Sequence, residues 1–125
     1  MIVRLLLGLT FVAALAGCER QPRAGADAAA LRRLVGSEPV VVLSTQQCGY
    51  CFRLRNDLGA WGVRYREVDV ERSEEGRRAF ALLRASGVPI VLIDQTVVHG
   101  YAPRRIRRLL AEAELLPAGA AAPSS

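Results

Sequence analysis

Cys48, Gly49, Tyr50 and Cys51 set two thiols three residues apart, behind an apolar run and at the opening of a helix-compatible segment. Two thiols at this spacing can close into a disulfide and exchange it with a thiol or disulfide on another molecule. The attacking species is a thiolate, whose charge is favoured in the first turn of a helix by unpaired backbone amides and by the positive end of the helix dipole. Cys48 is therefore the expected nucleophile. Cys51, one turn further in, is placed to attack a mixed disulfide at Cys48, so the pair can carry two electrons and release its partner. This chemistry requires no cofactor beyond the dithiol itself.

The ends of the chain bear on where such chemistry would operate. Met1 to Ala16 carries a lone Arg4 and then an apolar run from Leu5 to Ala16. That run is shorter than the ~20 residues of a bilayer-spanning helix and ends in small residues, the pattern of an export signal. Leu15-Ala16-Gly17-Cys18 resembles the lipobox of bacterial lipoproteins, in which the cysteine becomes the lipidated first residue of the mature chain. The resemblance implies a signal peptide over 1–17, lipidation of Cys18 and membrane attachment facing the periplasm. Glu19 stands where an Asp tends to retain lipoproteins at the inner membrane, so the outer membrane is expected. Lipidation also accounts for the third cysteine, which an exported protein would otherwise leave unpaired. Segment 18–30, Ala-rich with Pro22 and Gly25, reads as a flexible tether, and 117–125 as a disordered tail of Ala, Pro, Gly and Ser.

Between these ends, residues 31–116 suffice for one small domain, and a hydrophobic content of 51% supports a packed core. All 17 basic residues are arginine, and the net charge is +5. Behind an export signal, nucleic acid is not the expected partner of that charge. Anionic headgroups suit it better, while Arg104-Arg105 and Arg107-Arg108 read as a solvated helix face opposite Ile106, Leu109 and Leu110.

The elements that must position the dithiol follow from periodicity. Val40 to Leu43 is a continuous β-branched run, the mark of a strand buried on both faces. A helix runs from Cys51 to Ala60 and ends at Gly59 and Gly62. A second strand covers Val63 to Val70. Ser73 opens a helix with Phe80, Leu82 and Leu83 along it to Ala85. Pro89 introduces the strand Ile90 to Ile93, Asp94-Gln95 turns it, Thr96 to His99 forms a fourth strand, and Gly100 breaks it. Pro103 starts a last helix to about Leu115. The order is β-α-β-α-β-β-α, an α/β fold.

From Val40 to Leu116 the chain resembles a glutaredoxin, a member of the thioredoxin fold. The resemblance rests on the strand before Cys48-Gly49-Tyr50-Cys51, on Gly87-Val88-Pro89 before the third strand, and on Gly100 after the fourth. Pro-Tyr is common between the cysteines of the family, and Gly-Tyr is a variant of it. The resemblance implies a mixed four-stranded sheet flanked by helices, a cis Pro89 facing the dithiol, and Val88 backbone ready to pair with an extended substrate. Tyr50, between the cysteines, stands near any docking substrate, whereas Trp61 and Tyr101 read as packing residues and His99 as an exposed strand-end residue.

Glutaredoxins hold glutathione with a Lys or Arg three residues before the first cysteine and with acidic or hydroxyl groups after the glycine. Here Thr45 occupies the first place and Tyr101-Ala102-Pro103 the second. The expected partners are therefore protein thiols and disulfides of the envelope and a protein reductase or oxidant, with glutathione as the alternative. Zinc requires four ligands, and besides Cys48 and Cys51 the mature domain offers only His99, so no metal is expected. The domain is expected to be a monomer, and the rivals to a protein-directed exchange enzyme are a non-catalytic binding module with a permanent structural disulfide and a glutathione-dependent or metal-binding glutaredoxin that holds its metal through Cys48 and Cys51.

Overall fold

The structure, a computed structural model, describes residues 24–120, in the order α1 (Ala24–Val35), β1 (Val40–Ser44), α2 (Gly49–Ala60), β2 (Arg66–Asp69), α3 (Glu74–Leu82), β3 (Ile90–Ile93), β4 (Thr96–His99) and α4 (Pro103–Glu112). The expected signal peptide 1–17, Cys18 and residues 121–125 of the expected tail lie outside the described residues. No helix among the described residues is long and apolar enough to cross a membrane.

Every residue of β1 is buried, and its alternate side chains serve opposite faces of one sheet. Val40 and Val42 enter the core on one side, and Val41 and Leu43 enter it on the other. β3 behaves likewise, with Val91 and Ile93 on the first side and Ile90 and Leu92 on the second. A strand covered on both faces needs an unbroken apolar run, which is why neither shows polar alternation. β1 pairs in parallel with β2 and antiparallel with β3, which pairs antiparallel with β4, giving the order β2-β1-β3-β4.

Helices cover both faces. α2 and α4 pack Leu54, Leu58, Ile106 and Leu110 against the first, joined by Trp61 and Val63. α1 and α3 cover the second with Ala28, Leu31, Val35 and Ala79. This is the mixed four-stranded, thioredoxin-like sheet that the sequence implies, with one helix more.

The added helix is α1, which replaces half of the tether expected over 18–30. Alanine is the strongest helix former, and Ala28, Leu31 and Val35 recur at the spacing of one buried stripe. Arg32 fastens its end, donating to the carbonyls of Glu38, Pro39 and Asp94. β2 is shorter than Val63 to Val70 because the Val63 amide is spent closing α2, bonded to the Leu58 carbonyl, and Gly62 turns the chain at φ +69°. α3 ends at Leu82 rather than Ala85, and α4 at Glu112 rather than Leu115. The amides of Ala85 and Leu115 reach back to Phe80 and Leu110, after left-handed turns at Arg84 and Glu114. Within the expected tail, residues 117–120 are described, and the Ala120 amide donates to the Pro117 carbonyl.

The packing of α1 is testable. Leu31→Ala is expected to cost about 2–5 kcal/mol in urea unfolding of the full chain, as for truncation of a fully buried leucine. A loss below about 0.5 kcal/mol, the range of surface substitutions, would mean that α1 is not part of the core.

Candidate active site

β1 ends at Ser44, and the chain crosses Thr45, Gln46 and Gln47 to reach Cys48, the N-cap of α2. At this position the backbone is extended while the following residues are already helical, so free amides converge on the cap side chain. The Cys51 amide donates to Cys48 Sγ at 3.1 Å. A sulfur in this position gains most from the bond when it carries negative charge. Cys48 and Cys51 are joined as a disulfide with their Cα atoms 5.2 Å apart. Cys48 is partly exposed and Cys51 fully buried, so an incoming group reaches Cys48 first.

The peptide bond between Val88 and Pro89 is cis. Cys48 Sγ stands 3.7 Å from the Val88 carbonyl oxygen, and the Pro89 carbonyl accepts from the Gly100 amide at 2.8 Å. Gly100 has φ +83°, a left-handed turn that leads out of β4 at little cost for glycine. Cys48, Cys51, Val88, Pro89 and Gly100 are thus brought to one end of the sheet. Gly49 and Tyr50 form the first turn of α2 beside them.

Tyr101, read from the sequence as a packing residue, belongs to this end as well. Its ring stacks on Tyr50 with centroids 5.7 Å apart, and its hydroxyl donates to Asp57 Oδ2 at 2.6 Å. That hydrogen bond, with a smaller contribution from burial, raises the Tyr101 pKa. The Arg53 guanidinium lies 5.4 Å from the Tyr50 ring centroid, a cation–π contact. Tyr50 and Phe52 remain 57% and 61% exposed, so the dithiol is bordered by open aromatic surface. The signal available for Tyr101 was its place directly after Gly100. Trp61 is buried in the core and His99 is exposed at a strand end.

Behind the dithiol loop lies a polar clamp not anticipated from the sequence. Glu67 Oε1 accepts from Ser44 Oγ at 2.5 Å and from Arg55 Nε at 2.7 Å. Arg55 also donates to the Thr45 carbonyl at 3.3 Å, tying α2 to the loop that carries Cys48. Burial acts to raise the Glu67 pKa, but the hydrogen bonds from Arg55 and Ser44 outweigh it and hold the carboxyl below its ordinary value. Its partner Arg55 is raised, first by the same bond. Among the described residues, no group of three or more His, Cys, Asp and Glu side chains is placed to hold a metal ion.

A carboxylate with a depressed folded pKa adds stability above its unfolded value and loses it as the pH falls through the folded one. The stability gap between the wild type and Glu67→Gln should therefore be widest at neutral pH and close as the pH falls below about 4. Urea unfolding across that range measures it. A gap independent of pH would assign the loss to packing rather than to the charge.

The glutaredoxin family model matches residues 40–98. The chain is 30% identical over 74 residues to the Gene 56 protein of Mycobacterium phage D29, spanning 58% of this chain and 82% of that protein. Among solved structures, the holo form of glutaredoxin C1 from Populus tremula x tremuloides superposes with a TM-score of 0.57 at 27% identity, covering 75% of this chain and 95% of that one. The buckwheat glutaredoxin–glutathione complex superposes with a TM-score of 0.59 at 24% identity, over 76% and 96% of the two chains, and bears on the fold alone.

Proposed function

The chain belongs to the glutaredoxin family of the thioredoxin fold, and we propose that it is a thiol–disulfide oxidoreductase of the cell envelope acting on exported proteins. The observation that carries the reading is the asymmetry of the Cys48–Cys51 pair: an accessible sulfur at a helix N-cap and a buried one a turn behind it.

In the reducing direction, the Cys48 thiolate attacks one sulfur of a substrate disulfide. The substrate's S–S bond breaks, its other sulfur leaves as a thiolate that takes up a proton, and a mixed disulfide to Cys48 remains. Cys51 then loses its proton and attacks Cys48 Sγ, releasing the second substrate thiol and closing the Cys48–Cys51 disulfide. The dithiol has given two electrons and the substrate disulfide has accepted them. Run backwards, the same steps oxidise a partner's dithiol, and the relative reduction potentials decide the direction. In this reading Val88 presents its backbone to an extended substrate, Gly100 shapes the neighbouring turn, and Gly49 and Tyr50 border the attacked sulfur.

A protein partner is favoured over glutathione by the residues around the site. Thr45 brings no cation to the loop, and its carbonyl is engaged by Arg55, which is itself paired with Glu67. The groups after Gly100 are Tyr101, Ala102 and Pro103, and the Tyr101 hydroxyl is committed to Asp57. The buckwheat glutaredoxin was solved with glutathione, so the tripeptide stays as the comparison substrate.

The envelope assignment rests on the apolar segment and Leu15-Ala16-Gly17-Cys18. With α1 starting at Ala24, residues 19–23 are left as the link to a lipidated Cys18.

The test is substrate trapping. Cys51→Ser is expected to accumulate mixed disulfides with envelope proteins through Cys48, visible as reductant-sensitive bands on gels, and Cys48→Ser none. A Cys51→Ser protein that stays reactive at Cys48 yet traps nothing would contradict the exchange role. A reduction potential below about −300 mV, rather than within the roughly −270 to −120 mV of catalytic dithiols, would favour the structural-disulfide module.

A further inference from the structure

Carboxylates and guanidinium groups are unevenly matched over this domain. Arg55 pairs with Glu67, Arg66 with Glu75, and Arg77 and Arg78 with Glu74, while Arg33, Arg64 and Arg84 are exposed singly with no ion pair among the described residues. Three more such arginines gather at the dithiol end. Arg53, Arg104 and Arg105 are exposed and make no ion pair among the described residues, although Arg53 rests against the Tyr50 ring.

Arg104 and Arg105 follow within four residues of Tyr101, whose ring stacks on Tyr50 between the two cysteines. They stand in the first turn of α4, which has no acidic residue and no side-chain cap. The helix dipole disfavours cations there, so the arrangement works against the stability of α4. A local conflict of this kind, next to a reactive pair, fits a demand made by a partner rather than by the fold. Asp57, which stands at this end, accepts a hydrogen bond from the Tyr101 hydroxyl and forms no ion pair with these arginines.

We propose that Arg53, Arg104 and Arg105, with the exposed Tyr50 and Phe52, form a docking rim for polypeptide segments in which Asp or Glu flanks the reacting cysteine. This rests on the exchange reading and narrows its substrate class. The unpaired cations meet acidic side chains, the aromatic faces meet the apolar parts of the segment, and the substrate sulfur is left at Cys48. An anionic lipid surface matches the same charge, but seated on this rim it would cover the sulfur that must be reached.

The test reads docking separately from exchange. Fluorescein-labelled peptides of one length, with Ser in place of Cys and flanked by acidic, neutral or basic residues, are titrated against the full chain and followed by anisotropy. The acidic peptide should bind at least about tenfold more tightly than the basic one at low salt, and the preference should collapse near about 0.5 M NaCl, where screening acts within a few ångströms. Arg104→Glu with Arg105→Glu should abolish the preference. Arg33→Glu with Arg64→Glu, an equal charge change at exposed arginines elsewhere, should keep it. Equal affinity for acidic and basic peptides overturns the proposal, and so does a preference that survives reversal of Arg104 and Arg105. Capture by phosphatidylglycerol vesicles in preference to the acidic peptide also overturns it. Reduction of uncharged 2-hydroxyethyl disulfide, followed in parallel, reports on exchange alone, so its failure would remove the enzyme reading while selective binding still upheld the rim.

Discussion

The dithiol end of this domain depends on one hydrogen bond, from the amide of Cys51 to the sulfur of Cys48. It exists because Cys48 is the N-cap of α2, and α2 can begin there because β1 delivers the chain at that height and Leu54 and Leu58 lock the helix to the sheet. The bond favours charge on Cys48, and burial disfavours it on Cys51. Two cysteines of the same chemistry thereby stand in different surroundings, one partly exposed at a helix N-cap and the other buried. The Glu67, Ser44, Arg55 and Thr45 contacts hold the intervening loop from behind, so the geometry is fixed by β1, β2 and α2 together.

Legibility in the sequence followed the range of the interactions. β1 and β3 were readable because burial on both faces leaves no room for polar residues, and their apolar runs contain nothing else. Cys48 and Cys51 were readable because their pairing is local. α1 was obscured by its alanines: Ala28 is buried in the core, yet its small side chain gives little hydrophobic signal and the neighbouring Pro22 and Gly25 suggest a linker. The limits of β2 were misjudged because Val63 is apolar for the sake of the α2–α4 core while its amide closes a helix.

The residues around the dithiol were the least legible, since they meet only through the fold. Tyr50 and Tyr101 stack across 51 positions of chain, and nothing in either neighbourhood announces the other. Phe52 is apolar like the buried Leu54 and Leu58 of the same helix, yet it is exposed next to Cys51. Arg55 and Glu67 lie 12 positions apart on different elements, and no local pattern joins them. The ion pairs Arg55–Glu67, Arg66–Glu75 and Arg78–Glu74, and the gathering of Arg53, Arg104 and Arg105 at the dithiol end, are likewise visible only in three dimensions.

The account stands or falls on Cys48 being the activated sulfur. The most direct measurement is the pH dependence of iodoacetamide alkylation of the reduced protein, with the labelled residue identified by peptide mapping. The account predicts labelling at Cys48 with a midpoint well below the ~8.5 of a free cysteine, and slow labelling of Cys51. A midpoint at or above that value, or preferential labelling of Cys51, would contradict it.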